Sequence, residues 1–309
     1  MALGATRVAE PLDSAYAMSI LLPALISGIC FGLVYGILAL AIVLLYKATG
    51  LANFAVGNMG TFCALGTYLL VSRAGFSLWL ASIAGLASGL LLGVFCYFAF
   101  IRFNSEAGPL NLTIRTLAIY VALFAVMNEF WAFGQPFVLQ SPFPDLSFQV
   151  GSVHVSGDYV DILIVSVVFL ASFVAFFRYT RTGLLLRGLA ERPDVASLIG
   201  VNVPLLTAVA WAIAGMAGAA CGLLAAPITL LSSGMLILVL PLAFTAAIVG
   251  GLTSLSGAMI GGIIVGILNT LVATYGNTEL ATYAIFVLLV VVLLVRPQGL
   301  FGETMRERL

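Results

Sequence analysis

Along this chain apolar residues gather into nine long stretches with little or no charge: 16–46, 51–72, 76–101, 116–133, 162–177, 203–231, 236–252, 259–275 and 280–295. A helix rises about 1.5 Å per residue and the hydrocarbon core of a bilayer is about 30 Å thick, so about 20 apolar residues make one crossing. The pattern predicts an all-α polytopic membrane protein with about eight to nine transmembrane helices. A transmembrane β-barrel would instead alternate apolar and polar residues over segments of about ten. The first stretch contains Pro23, Gly28, Gly32 and Gly36. It reads either as one long tilted helix or as a broken one.

The predicted organisation is a tail over 1–15, one transmembrane domain over 16–302 and a second tail over 303–309. The domain carries an external loop at 134–161 and a cytoplasmic loop at 178–204. The first tail holds Arg7, Glu10, Pro11 and Asp13. It lacks the basic start and short apolar core of a cleavable signal peptide.

Composition sharpens this picture. Of 309 residues 62% are hydrophobic and 8% charged, where soluble chains carry about 25% charged residues. The mean hydropathy is +1.20. The 32 glycines suit helices that pack closely in lipid. Basic and acidic residues number 12 each, so the chain has no electrostatic footprint for nucleic acid. Cys30, Cys63, Cys96 and Cys221 are too far apart in sequence for a metal site or a disulfide framework.

The placement of charge sets the orientation. Arg178, Arg181, Arg187 and Arg192 form the heaviest basic cluster, followed by Arg296, Arg306 and Arg308. The positive-inside rule puts both in the cytoplasm. Threading outward from them puts Lys47, Arg102 and Arg115 inside and Asp145, Asp158 and Asp161 outside, for nine crossings with the N-terminus outside. Arg73, at the outer end of the second stretch, is the exception, and its side chain can snorkel to the interface.

Candidate chemistry inside the spans is sparse. TGLANFAVGNMGTFCALG at 49–66 and TAAIVGGLTSLSGAMIGGIIVG at 245–266 each join two spans through small and polar residues. Breaks between half-helices free backbone donors and acceptors for a ligand, which makes Asn53, Asn58, Ser254 and Ser256 candidates for a solute path. Asn128, Glu129 and Asn269 complete the set. A carboxylate at the bilayer centre costs about 2.5 to 3.5 kcal/mol, so Glu129 is expected at the interface beside Trp131, against a water-filled cavity, or protonated.

Several ionisable groups within the spans mark an ion-coupled carrier, and they are missing here. The only lysine is Lys47 in LYKATG, so the chain has no Gly-x-x-x-x-Gly-Lys phosphate loop. Neither a metal site nor a cofactor site is expected, and ATP used for transport would be bound by another subunit.

The cytoplasmic loop RYTRTGLLLRGLAERPDVASLIGVNVP mixes charge with apolar residues. Pro193 suits the first turn of a short helix, Val195, Leu198 and Ile199 form an apolar stripe, and Gly200 suits its stop. Such a helix lies in the membrane interface or enters a groove on a partner protein.

The segment RTGLLLRGLAERPDVASLIGV resembles the coupling segment of bacterial ABC-importer permeases of the branched-chain amino acid type, with Thr182, Gly183, Arg187, Asp194, Ala196 and Gly200 at matching offsets. GLVYGILALAIVLLYKATGLANFAVGNMG at 32–60, AFTAAIVGGLTSLSGAMIGGIIVGI at 243–267 and RPQGLFG at 296–302 also match, in the family's order. The resemblance implies a multi-pass permease of the bacterial inner membrane. Its implied partners are a second related permease, two cytoplasmic ATPases and an extracytoplasmic substrate-binding protein. Gly183, Arg187, Asp194, Ala196, Leu198 and Gly200 would then couple to an ATPase.

Two features depart from the family. NFAVGN has Val56 and Asn58 where the family often has His and Glu, and Glu129 stands where relatives tend to carry an uncharged amide. The competing reading is an ATP-independent channel or facilitator for a small neutral solute such as urea or an amide. A membrane enzyme would have to be built on His154, the only histidine, which falls in the external loop with no nucleophile or carboxylate pair.

Overall fold

The computed structural model describes residues 14–103, 108–132, 136–141, 146–150, 153–191 and 201–302. Its helices are α1 Ser14–Thr49, α2 Ala55–Ser72, α3 Leu78–Cys96, α4 Pro109–Met127, α5 Gly157–Tyr179, α6 Arg181–Glu191, α7 Val203–Thr229, α8 Val239–Gly250, α9 Leu255–Tyr275 and α10 Thr278–Val295. Two of them, α3 and α4, run on into π-turns at Tyr97–Ile101 and Asn128–Ala132. Eight helices are long and apolar enough to cross a membrane. In lipid every backbone amide must be satisfied within its own segment, and continuous helix over each apolar run meets that demand.

The first stretch is one continuous helix of 36 residues. Pro23 removes one backbone donor without breaking it, and the Ser27 hydroxyl donates to the Pro23 carbonyl at 2.9 Å. The seventh stretch is helical only over the 12 residues of α8, about 18 Å at 1.5 Å per residue. Turns over 233–238 supply the rest, following Leu230, whose φ of 62° reverses the chain after α7. The external loop is shorter than the charges implied, because helix α5 starts at Gly157 and takes Asp158 into its first turn, where a carboxylate complements the helix dipole. In the same loop β1 Phe148–Val150 pairs antiparallel with β2 Val153–Val155, which places His154 opposite Gln149.

Packing is organised on two nearly buried helices, α1 and α7. Helices α1 and α9 cross antiparallel through Gly28, Gly32 and Gly36 on one and Met259, Ile263 and Ile267 on the other, in steps of four. A methyl group on Gly32 would lie 2.7 Å from the Ile263 Cα, and one on Gly262 would lie 2.5 Å from the Gly36 Cα. Helix α3 buries Ala81, Gly85, Gly89, Gly93 and Cys96, one residue per turn, and its glycines meet Gly215, Ala219 and the Trp211 carbonyl of α7. Helix α2 reaches α7 at Gly60, against Gly218 and Gly222. The glycines read from the sequence as a packing device therefore face one another across backbone-to-backbone seams.

The helix ends fall into two groups. Phe137 and Leu231 form a β-bridge, joining the external loop to the end of α7. At the opposite end Lys47 Nζ donates to the Thr253 carbonyl at 2.9 Å. There the Leu300 and Phe301 amides donate to the Val249 and Gly250 carbonyls at 2.8 and 3.1 Å, capping α8. Gly299, with φ 81°, makes the turn that aims those amides, and its own Cβ would lie 2.5 Å from the Gly251 Cα. The RPQGLFG motif thus caps a helix that would otherwise end on bare carbonyls. Arg115 Nη1 reaches the Phe100 carbonyl at 3.2 Å, tying the start of α4 to the end of α3 at the same side.

Replacing Gly32 with Leu is expected to abolish recovery of monodisperse protein in size-exclusion chromatography, since its neighbours are backbone atoms. Gly66→Ala serves as the control: nothing lies within 4 Å of its Cβ position, and removing a mid-helix glycine should stabilise by about 0.5 to 1 kcal/mol in thermal unfolding.

Candidate functional site

The break between α1 and α2 concentrates the buried polar groups. Gly50 leaves α1 with φ 70° and the chain runs non-helically to Phe54. Asn53 then caps α2 by accepting the Ala55 amide on Oδ1 at 2.7 Å. Helix α4 supplies the other wall. The Phe54 amide donates to Thr116 Oγ1 at 3.2 Å, and Asn58 Nδ2 donates to the Tyr120 carbonyl at 2.8 Å. Phe54 packs on Phe244 of α8 with ring centroids 4.7 Å apart.

Asn53 and Asn58 are each 1% exposed, and Asn53 Nδ2 and Asn58 Oδ1 have no hydrogen-bond partner among the described residues. An unpaired buried polar atom costs about 1 to 3 kcal/mol. One donor and one acceptor therefore remain unused within a turn and a half of helix. Val56, where the family often has His, is fully buried with its carbonyl facing Gly218 of α7, an apolar and closely packed position. Beside the break, toward the end of α1, a cavity of about 330 Å³ is bounded by Thr49, Leu51, Tyr97, Arg102, Leu112 and Thr207, among others.

The other path candidates do not join this cluster. Asn128 Oδ1 accepts from the Ser233 hydroxyl at 2.7 Å, linking the π-turn after α4 to the turns before α8. Glu129 lies in that π-turn at the C-terminal end of α4 and is exposed. Asn269 is half-buried in α9 and pairs with the Tyr35 hydroxyl of α1. Ser254 caps α9, accepting the Gly257 amide at 3.0 Å, and exposed Ser256 lies 3.3 Å from it. These two serines belong to the same helix end as Lys47 and the C-terminal turn.

Thr116 and Tyr120 escape a reading of the sequence alone, since nothing in TIRTLAIYVAL marks them as facing α2. The steps of four that carry Thr116 and Tyr120 to one face of α4 are the only available signal.

The cytoplasmic connection begins with α6, a helix beyond the single short one expected from Pro193 onward. It folds back on α5 at Gly183, whose Cβ would lie 2.7 Å from the Phe177 Cα. The Thr180 hydroxyl accepts the Gly183 amide at 3.0 Å and fixes the turn. Leu186 and Leu189 are buried, while Leu184, Leu185 and Arg187 are exposed, so α6 presents Arg187 and two leucines outward. Asp194, Ala196, Leu198 and Gly200 lie outside the described residues.

Comparison with known proteins places this architecture. Residues 24–295 match the family described as "Branched-chain amino acid transport system / permease component". The high-affinity branched-chain amino acid transport system permease protein LivH of Escherichia coli (strain K12) is 28% identical over 304 residues, covering 91% of this chain and 96% of that protein. BraD of Pseudomonas aeruginosa (strain PAO1), named in the same terms, is 29% identical over 298 residues, with 92% and 96% covered. A probable LivH of Methanocaldococcus jannaschii is 28% identical over 289 residues, with 86% and 88% covered. Among solved structures, PsaBC from Streptococcus pneumoniae in complex with Fab aligns with a TM-score of 0.48 at 14% identity, over 88% of this chain and 91% of that one. The family match runs from the second turn of α1's apolar run to the end of α10, and the chain belongs to the permease-component family of branched-chain amino acid transport systems, as a multi-pass inner-membrane protein.

Proposed function

We propose that this chain is a permease subunit of an ATP-driven importer of branched-chain or related amino acids. Family membership supports the transport role and disfavours the free-standing channel. The observation that carries the solute path is the pair of unused polar atoms at the α2 break. Asn53 Nδ2 is a donor suited to a carboxylate and Asn58 Oδ1 an acceptor suited to an ammonium, within an apolar surround of Phe54, Val56 and Phe244. A zwitterion with an aliphatic side chain needs that combination. The cavity of about 330 Å³ on the cytoplasmic side gives the path an inward exit.

The energy comes from partners. With no phosphate-binding loop of its own, the chain relies on two cytoplasmic ATPases that dock on the 178–204 connection. Gly183 sets the α5–α6 angle there, and Arg187 with the segment carrying Asp194, Ala196, Leu198 and Gly200 makes the contact. A second, related permease completes the path, and an extracytoplasmic binding protein delivers the solute. Nucleotide-driven closure of the ATPases rocks the two permeases between outward-open and inward-open states.

Ala196→Asp is expected to uncouple the assembled transporter: uptake in proteoliposomes falls at least about tenfold, equivalent to about 1.4 kcal/mol. Normal uptake would remove the coupling role from this loop. The purified chain alone, without ATP or partners, should pass no solute in a liposome flux assay.

Asn58→Val removes both a candidate solute contact and the bond to the Tyr120 carbonyl, whereas Thr116→Val removes support alone. The first is expected to raise the KM for uptake about tenfold, the loss of one charge-assisted hydrogen bond. The second removes the acceptor of the Phe54 amide and should lower thermal stability by about 1 to 3 kcal/mol while leaving KM unchanged.

A further inference from the structure

Helix α5 leans on α1 and α6, meets α7 only lightly and stands away from α3. The gap is an apolar furrow with α7 as its floor. Two cavities occupy it and share Phe169 as a common wall. The outer one, of about 160 Å³, runs between Leu78, Leu86, Ile162 and Leu224; the inner one, of about 320 Å³, lies between Leu90, Phe173, Phe176 and Ile213.

From Ile213 to Pro227 on α7 the furrow measures about 21 Å at 1.5 Å per residue. One leaflet of a core about 30 Å thick occupies about 15 Å. The furrow is therefore long enough for an acyl chain. It opens sideways past Trp79 and Ile83, which are 49% and 62% exposed.

Its outer mouth carries two carboxyl groups. Asp158 and Asp161 both line it, with Ser82, Gln140 and the Trp79 indole as the remaining polar groups, and Asp161 is 3% exposed. No Lys, Arg or His is among the described residues lining either cavity. A slot with apolar walls and a carboxylate mouth complements an ammonium joined to a long hydrocarbon. A free amino acid is a poor match, since the mouth offers its carboxylate no cation and the furrow is several times longer than an amino-acid side chain.

We infer that the α3–α5–α7 furrow holds one outer-leaflet phospholipid with a primary ammonium headgroup, its chain along α7 and its ammonium at Asp158 and Asp161. The lipid fills the space that α5 leaves open and holds that helix, with the α5–α6 turn at its other end, at a fixed distance from the core.

Native mass spectrometry of the full chain in nanodiscs of equal phosphatidylethanolamine and phosphatidylglycerol tests this. The expected result is one phosphatidylethanolamine retained after bulk lipid is stripped. The Asp158→Asn, Asp161→Asn double variant should lower that retention about tenfold, to the phosphatidylglycerol level, equivalent to about 1.4 kcal/mol. Because Asp161 is buried, Ser172→Trp provides a second variant: it fills the inner cavity from an exposed position on α5, leaves the carboxylates intact, and should expel the lipid.

Equal retention of both lipids by the unmodified chain, or retention unchanged in both variants, would overturn the assignment. So would release of the lipid by leucine, which makes the mouth a solute site. Cross-linking of a photoreactive residue at position 83 to a second permease in the assembled transporter, in place of lipid, would make the furrow a protein interface and equally overturn it.

Discussion

The antiparallel crossing of α1 and α9 is the contact on which the remaining packing depends. In a bilayer the hydrophobic effect does not draw helices together, because lipid tails are as apolar as leucine, so association relies on close van der Waals approach. Glycines at every fourth position on α1 meet Gly262 and Gly266 on α9 with no side chain between the backbones. That closeness fixes the register as well as the separation. A slide by one residue would bring Ile263 or Ile267 onto a glycine carbonyl. The same device is repeated where α3 and α2 meet α7, so the two buried helices are each held by contacts that have no slack.

Rigid seams of this kind push polarity to the places where helices stop. The α2 break, the turns before α8 and the start of α9 each hold a hydrogen bond between segments. Each has the same cause: a helix end in lipid exposes amides or carbonyls, and something must meet them. At the cytoplasmic end Leu300 and Phe301 meet the last carbonyls of α8, and Lys47 meets the loop that follows. At the α2 break Asn53 and Thr116 meet the first amides, and one donor and one acceptor are left over. The groups proposed to meet a solute are thus the surplus of a structural requirement, and they lie between three helices, α2, α4 and α8, that are short or only partly buried.

The outer shell behaves differently. Helices α4, α5 and α10 expose most of their length, and α5 stands off its neighbours along the furrow. Helix α6, which begins the connection proposed to receive the ATPases, is attached to this loosely held helix through the Gly183 turn. Motion imposed on the connection therefore reaches α5 first, whereas the α1–α9 and α3–α7 seams resist it. This arrangement suits a permease that must move as a body while keeping its own core intact.

Length and hydropathy of the runs, by themselves, determined the membrane class. Both are one-dimensional properties that a bilayer reads directly. The glycines announced close packing, because Gly has no other use at that density inside apolar helices. The four stretches resembling the permease family were sufficient for its recognition. Partners of each glycine, by contrast, were decided only by the tertiary structure, since a four-residue spacing on one helix does not say which neighbour it faces. Folding also sorted the polar candidates: Ser254 became a helix cap and Asn269 a partner of Tyr35, while Asn53 and Asn58 kept unused atoms. Asparagines with equal sequence credentials differ in hydrogen bonding only once their neighbours are known, because a hydrogen-bonding group is free or spent according to what the fold brings within about 3 Å of it.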